Sequence, residues 1–159
     1  MVMKLYFSPM ACSMSSRIAI YETGTSAEII EVDPKTKRTS DGRSFLDIHP
    51  LGLVPLLETD DGLLLSENSA ILQLLAEGTE LGPKSTSERM RLQQWLGFIA
   101  TELHKVVYVP LLDAKASKEV KAYALSKAEA RLSWVESNLV DREFLLGASP
   151  SRTRISSRC

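Results

Sequence analysis

A cysteine near the N-terminus is the first residue that could carry chemistry. Cys12 lies in the segment from Ser8 to Ser13, between a predicted strand and a predicted helix. A thiol at a helix N-terminus is stabilised as the nucleophilic thiolate by the unpaired N–H groups and by the helix dipole. The alternative is a small buried residue, which is the commoner role of an arbitrary cysteine. No cysteine lies three residues away, so an internal two-thiol redox cycle is not expected.

Two further segments could bind a small peptide-like ligand. Val54-Pro55 opens a predicted strand, and a cis bond there would leave the preceding backbone able to pair with an extended peptide. An ordinary trans proline at a strand edge is the alternative. Glu67, Asn68 and Ser69 lie at a strand-to-helix junction, where N–H groups could bind a carboxylate and Glu67 an ammonium. Simple helix capping is the alternative there.

The remaining candidates are weaker when taken alone. Lys37 belongs by default to a solvated basic loop, and a helical histidine such as His104 is more often structural than functional. Trp95 and Trp134 are predicted to lie in a core. We find no metal-ligand cluster, no glycine-rich phosphate loop and no Ser/His/Asp signature.

Composition narrows the class of protein. The chain has 159 residues, with 19 Lys and Arg against 20 Asp and Glu, and a net charge of −1. That balance argues against nucleic-acid binding, which depends on a basic surface. No apolar run approaches the roughly 18 residues that span a bilayer, and no signal peptide is apparent. Cys12 and Cys159 form a poor disulfide framework, so we expect a reducing cytoplasm.

The first half of the chain alternates predicted strands and helices. A strand, a helix stopped by Gly24 and a second strand predict a βαβ unit with a parallel pair. A short helix, a hairpin turning at Gly62 and a further helix follow. The predicted strands are Met3 to Phe7, Glu28 to Val32, Val54 to Glu58 and Leu63 to Ser66. The predicted helices are Ser13 to Glu22, the short helix Arg43 to Ile48, and Glu67 to Ala76.

The second half is predicted to be helical throughout. After a linker from Gly78 to Pro83, Ser85 and Glu88 form a capping box ahead of a long helix. Pro110 is predicted to break or kink that helix. Ser117 caps another helix, whose apolar stripe is Val120, Ala124, Ala128, Leu132, Val135 and Leu139. Residues 148–159 are rich in serine and arginine and are predicted to be disordered.

Together these segments resemble the cytosolic glutathione transferases, and within them the bacterial beta class. The resemblance covers residues 3 to 147, and the run from Ile99 to Lys105 is the part most specific to the class. The motifs that carry it are Met3-Lys4-Leu5-Tyr6, Ser8-Pro9, Ala11-Cys12-Ser13, Asp41-Gly42-Arg43-Ser44-Phe45-Leu46, Pro50-Leu51-Gly52-Leu53-Val54-Pro55, Leu65-Ser66-Glu67, Trp95-Leu96 and Ile99-Ala100-Thr101-Glu102-Leu103-His104-Lys105.

The resemblance implies an α/β thioredoxin-like N-terminal module over residues 1–80 and a partial all-α module over residues 85–147. It implies an enzyme, a glutathione S-transferase that conjugates glutathione to small electrophiles, acting in detoxification as a cytoplasmic homodimer. Glutathione would be the co-substrate, and no metal, nucleic acid or membrane would take part. Glutathione-dependent thiol–disulfide exchange through Cys12 is one alternative, and an inactive glutathione-binding product is another.

The resemblance also implies a role for individual residues. Cys12 would contact the glutathione sulfur and could form a mixed disulfide with it, and Val54 would pair with the cysteinyl part beside a cis Pro55. Glu67 and Asn68 would hold the γ-glutamyl end, and Lys37 the glycyl carboxylate. The helical module would line the site through Thr101, Glu102, Leu103 and His104. His104 would lie near the sulfur and would be the second catalytic residue beside Cys12.

Three departures from the class pattern stand out. His49 replaces a usual Asn, and Leu51 and Leu53 replace more polar residues. Gly97 stands where the class has an Asn that reaches glutathione across the dimer, which puts that contact in doubt. After Gly147 the family continues into further helices, whereas this chain ends in its Ser/Arg tail, and we expect a truncation caused by a frameshift. The DNA sequence beyond the codon for Gly147 tests that hypothesis.

Overall fold

A computed structural model describes residues 2–146. The chain divides into two compact units between Gly82 and Pro83, and each is described separately. The predicted disorder of residues 148–159 falls outside the described residues. Among the helices that are described, none combines the length and the apolar character that crossing a membrane requires.

The first unit is built on a mixed four-stranded sheet in the order β2-β1-β3-β4. β1 (Met3–Phe7) pairs in parallel with β2 (Ala27–Glu31), as the βαβ pattern predicts. β3 (Leu56–Glu58) runs antiparallel to β1, and the hairpin strand β4 (Leu64–Ser66) completes the sheet. This arrangement confirms the predicted thioredoxin-like fold class.

Both faces of this sheet are covered, because side chains alternate between the two faces of a strand. On one face, Leu5 and Phe7 pack with residues of the two helices, α1 (Met14–Thr23) and α2 (Asn68–Ala76). The helix α1 ends at Gly24, whose φ of 69° suits a residue without a Cβ. The other face carries a second buried cluster: Tyr6, Ile30, Val32, Phe45 and Leu56.

Two predicted boundaries in the first unit are wrong. The helix predicted over Arg43 to Ile48 is a single 3₁₀ turn, Phe45–Asp47. The Phe45 N–H donates to the Lys37 carbonyl, which ties the segment back to the preceding loop and leaves no room for a longer helix. The third strand begins at Leu56 instead of Val54, since Pro55 has no N–H for the ladder.

The second unit is helical, as predicted. α3 (Thr86–Phe98) continues into a π-helix (Ile99–Tyr108) and the short α4 (Val109–Leu112), and α5 (Lys118–Leu139) follows. The Ser85 hydroxyl accepts a hydrogen bond from the Glu88 N–H at 3.1 Å, which confirms the predicted cap.

Of the predicted break or kink at Pro110, the break is wrong, and the kink stays a prediction. Helical backbone continues past Pro110 to Leu112, and the hydrogen-bond pattern changes instead. The Val109 N–H donates to the His104 carbonyl five residues earlier, so the helix is wide just before the proline. Pro110 is the second residue of α4, and because helical residues precede it, its missing N–H removes one hydrogen bond without ending the helix.

The apolar side chains of the second unit are less buried than predicted. Among its described residues, the buried hydrophobic side chains are Trp95, Val107 and Ala124. Trp134 is 37% exposed, so its predicted core position is wrong, although its ring lies 4.6 Å from that of Trp95. The stripe on α5 is likewise half open, because Leu132 stays 45% exposed.

Candidate functional site

The turn between β1 and α1 presents Cys12 at the surface. Its thiol donates a hydrogen bond to the Val54 carbonyl, with the sulfur 3.6 Å from the oxygen. The buried Ser13 hydroxyl fixes the backbone of this turn, because it accepts a hydrogen bond from the Ser8 N–H at 3.1 Å. The side chain of Ser13, the N-cap residue, makes no cap hydrogen bond to α1. This geometry contradicts the alternative in which Cys12 is a buried packing residue.

The Val54–Pro55 peptide bond is cis, as the resemblance implies. Val54 itself is half-buried and lies ahead of the strand, outside the ladder. Its N–H makes no hydrogen bond to the backbone of residues 2–146. The structure therefore leaves a short backbone edge beside the Cys12 sulfur that an extended peptide could pair with.

Glu67 has a backbone conformation that its sequence did not reveal. Its φ is 68°, in the left-handed region that non-glycine residues rarely occupy and that clusters at functional sites. Its carboxylate is exposed and makes no hydrogen bond or ion pair with the described residues. The first N–H group to make a helical hydrogen bond is that of Ala70, so the N–H groups of Asn68 and Ser69 remain available to a ligand.

The Asn68 side chain is committed to α1. Its amide nitrogen donates to the Ser15 hydroxyl at 2.6 Å, and its amide oxygen accepts from the Ser16 hydroxyl at 2.5 Å. Sequence reasoning missed this pairing, because the partners lie more than fifty residues apart. Whether Asn68 also contacts glutathione stays a prediction.

Lys37 is held in the loop that precedes the 3₁₀ turn. Its ammonium donates to the Gly52 carbonyl at 3.0 Å, and its φ is 57°. Gly52 has a φ of 59°, and a Cβ there would stand 2.8 Å from the Leu46 Cδ2 atom. The positive φ and this close approach favour glycine where the Lys37 side chain meets the chain leading to Val54.

The second-unit candidates lie together on the π-helix, a form of helix often found at functional sites. The Thr101 hydroxyl donates to the Gly97 carbonyl at 3.1 Å, and Leu103 and His104 are half-buried. The Glu102 carboxylate accepts from the Arg131 guanidinium, at 2.9 Å from Nε. Glu102 is thus paired with α5, and the role of all four residues in lining the site stays a prediction.

Several of the side chains whose pKa the protein shifts lie around Tyr6, on the face of the sheet opposite α1 and α2. The Lys4 ammonium, 2.8 Å from Glu58, lowers the pKa of that carboxyl, and burial raises the pKa of Tyr6. Arg43 lowers the pKa of Asp41 in the same way. The pairing of Asp41 with Arg43 fixes the loop that leads to the 3₁₀ turn. Within the described residues, no three His, Cys, Asp or Glu side chains are grouped to hold a metal ion.

Comparison with known proteins places this geometry in a family. Residues 1–77 match the family model described as the glutathione S-transferase N-terminal domain. The chain is 36% identical over 149 residues to glutathione S-transferase GstA of Escherichia coli O157:H7, covering 91% of this chain and 74% of that protein.

Solved structures agree with that assignment. A sphingomonad glutathione S-transferase complexed with glutathione is 36% identical, with a TM-score of 0.85 over 93% of this chain and 75% of that one. The beta-class enzyme of Sphingomonas chungbukensis is also 36% identical, with a TM-score of 0.83 over 92% and 74%. The chain belongs to the glutathione S-transferase family of enzymes, among bacterial members that include the beta class.

Proposed function

We propose that this chain conjugates the thiolate of glutathione to small electrophilic molecules. The observation that carries the proposal is the exposed Cys12 thiol 3.6 Å from the carbonyl of Val54, beside a backbone edge that is open to a peptide. The sphingomonad relative, whose structure holds glutathione, supports the choice of ligand.

The γ-glutamyl end of glutathione carries an ammonium and a carboxylate, and the start of α2 suits both. The exposed Glu67 carboxylate meets the ammonium. The N–H groups of Asn68 and Ser69 meet the carboxylate, because a helix N-terminus attracts anions.

The rest of the tripeptide fits the remaining candidates. Val54 pairs with the cysteinyl backbone, which brings the glutathione sulfur to Cys12. The Lys37 ammonium has three N–H donors, of which the Gly52 carbonyl takes one, so the others reach for the glycyl carboxylate. For Thr101, Glu102, Leu103 and His104 of the helical unit, the role in lining the site, with His104 near the sulfur, is taken from the family alone.

The chemistry is activation of a thiol. Hydrogen bonds and the field of α1 lower the pKa of the glutathione thiol, and its proton passes to solvent. The thiolate then forms a sulfur–carbon bond with the electrophile, and the leaving group departs with its electron pair. We place this reaction in a cytoplasmic homodimer that serves detoxification.

The test measures conjugation of glutathione to 1-chloro-2,4-dinitrobenzene by the purified chain. We expect Glu67→Gln to raise the KM for glutathione about tenfold, since a hydrogen bond to a charged group contributes roughly 1.5–3 kcal/mol. Glu77→Gln, at the other end of α2, is the matched control and leaves the KM unchanged.

A mixed disulfide of glutathione serves as the second substrate. The chain would be assigned to thiol–disulfide exchange instead if it reduced this disulfide but conjugated no electrophile, and if Cys12→Ala and Cys12→Ser abolished the reduction. Absence of both reactions, with a melting temperature unmoved by glutathione, would overturn the proposal, because a ligand of the folded state must raise that temperature.

A further inference from the structure

One hydrogen-bonded chain links the Cys12 turn to the start of α2. The Ser15 hydroxyl donates to the Cys12 carbonyl at 2.7 Å and accepts from the Asn68 amide nitrogen at 2.6 Å. The Asn68 amide oxygen accepts from Ser16, whose side chain is fully buried. We call the side chains of Ser15, Ser16 and Asn68 the α1–α2 bridge.

We propose that the Asn68 side chain is a positioning residue for Cys12 through this bridge and is not itself a ligand of glutathione. The inference rests on the proposed function and refines the expected role of Asn68. A carboxamide is suited to the task because it donates from one end and accepts at the other. One N–H of the amide and the amide oxygen already make hydrogen bonds within the protein, and both fix the side chain against α1.

The bridge constrains the Cys12 turn through the Cys12 carbonyl. Ser13 fixes the near side of the turn through Ser8 but makes no cap hydrogen bond to α1. The carbonyl of Cys12 accepts hydrogen bonds from both the N–H and the hydroxyl of Ser15. Asn68 orients that hydroxyl, so it sets the direction of the Cys12 turn.

The bridge also ties together the two ends of the peptide site. Asn68 follows Glu67 directly, so the bridge fixes the spacing between the backbone of Glu67 and the Cys12 turn. A substrate whose ammonium and sulfur sit at fixed separation is then met by a preformed pair of groups, which lowers the entropy cost of orienting it.

The test measures alkylation of Cys12 by iodoacetamide without glutathione, with the labelled peptide identified by mass spectrometry. We compare the parent with Asn68→Ala, Ser15→Ala and the double variant. We expect each single change to slow alkylation about three- to tenfold, the value of one hydrogen bond, because the sulfur leaves its orientation at the start of α1. The double variant is no slower than either single one, since both cut the same chain.

Thr23→Ala is the matched control. It removes hydroxyl hydrogen bonds from the far end of α1 and leaves the Cys12 turn untouched, so alkylation stays at the parent rate. In the conjugation assay, Asn68→Ala lowers kcat and keeps the KM for glutathione within about twofold. A ligand role for the side chain would raise the KM and leave alkylation unchanged.

Unchanged alkylation in the single variants, or effects that multiply in the double variant, would overturn the bridge. A parent chain without conjugation or glutathione binding would overturn the proposed function alone. The alkylation series needs no glutathione, so it still decides whether Asn68 positions Cys12.

Discussion

The two units of this chain differ in how they bury apolar side chains. The first unit covers both faces of its sheet with buried clusters, one around Leu5 and Leu57 and the other around Tyr6 and Phe45. The described part of the second unit has three buried hydrophobic residues and leaves others open, such as Leu112 at 80% exposure. The groups around Cys12 therefore belong to a unit with its own buried core, whereas the helices of the second unit depend more on local interactions for their stability.

The largest expected effect is a loss of folding stability on truncating a buried leucine of the first unit, compared with the same change at an exposed leucine of the second. Leu57→Ala removes a fully buried side chain and should cost about 2–5 kcal/mol in the free energy of unfolding, through lost burial and a cavity. Leu132→Ala, at 45% exposure, should cost less than about 1 kcal/mol. Urea unfolding of both variants measures the contrast. Equal losses would show that the two units are equally well packed.

A helix cap tests the dependence of the second unit on local interactions. Ser85→Ala removes the hydroxyl that accepts from the Glu88 N–H, and we expect a loss of about 1 kcal/mol. Ser133→Ala, inside α5, is the control and should be neutral or slightly stabilising, since alanine favours helix interiors. Helical circular dichroism during thermal unfolding follows both. A Ser85 variant as stable as the parent contradicts the prediction.

Acid should weaken the first unit through Glu58. Lys4 lowers the pKa of Glu58 in the folded state, so the folded chain binds a proton less readily than the unfolded one. The stabilisation is therefore present above the unfolded pKa of about 4.3 and is lost as the pH falls through the folded value. We expect Glu58→Gln to be less stable than the parent at pH 7 and equal to it at low pH. Glu129→Gln, in α5, is the matched control for the substitution itself.

Local signals predicted most of the fold. Gly24 and Gly62 mark a helix stop and a hairpin turn, and both have the positive φ that only glycine adopts freely. Ser85 and Ser117 accept the expected cap hydrogen bonds from the residues three positions on. Each of these features depends on a few neighbouring residues, which is why the sequence reveals them.

The features that escaped prediction depend on distant residues. Glu102 pairs with Arg131 and Asn68 with Ser15, and neither spacing matches a helix or strand period. The positive φ of Glu67 follows from the way β4 leads into α2, which no propensity of glutamate announces. Leu132 fits the apolar stripe of α5 by spacing, yet it stays exposed, because burial depends on what covers the stripe.

The central claim is that glutathione lies between Cys12 and the start of α2. It is tested most directly by recording the backbone amide resonances of ¹⁵N-labelled protein while S-methylglutathione, which forms no disulfide, is added. The account predicts saturable shifts that are largest at Cys12, Val54, Asn68 and Ser69, whose N–H groups meet or border the ligand. Shifts that leave these four amides unmoved, or that fall on other parts of the chain, would contradict it.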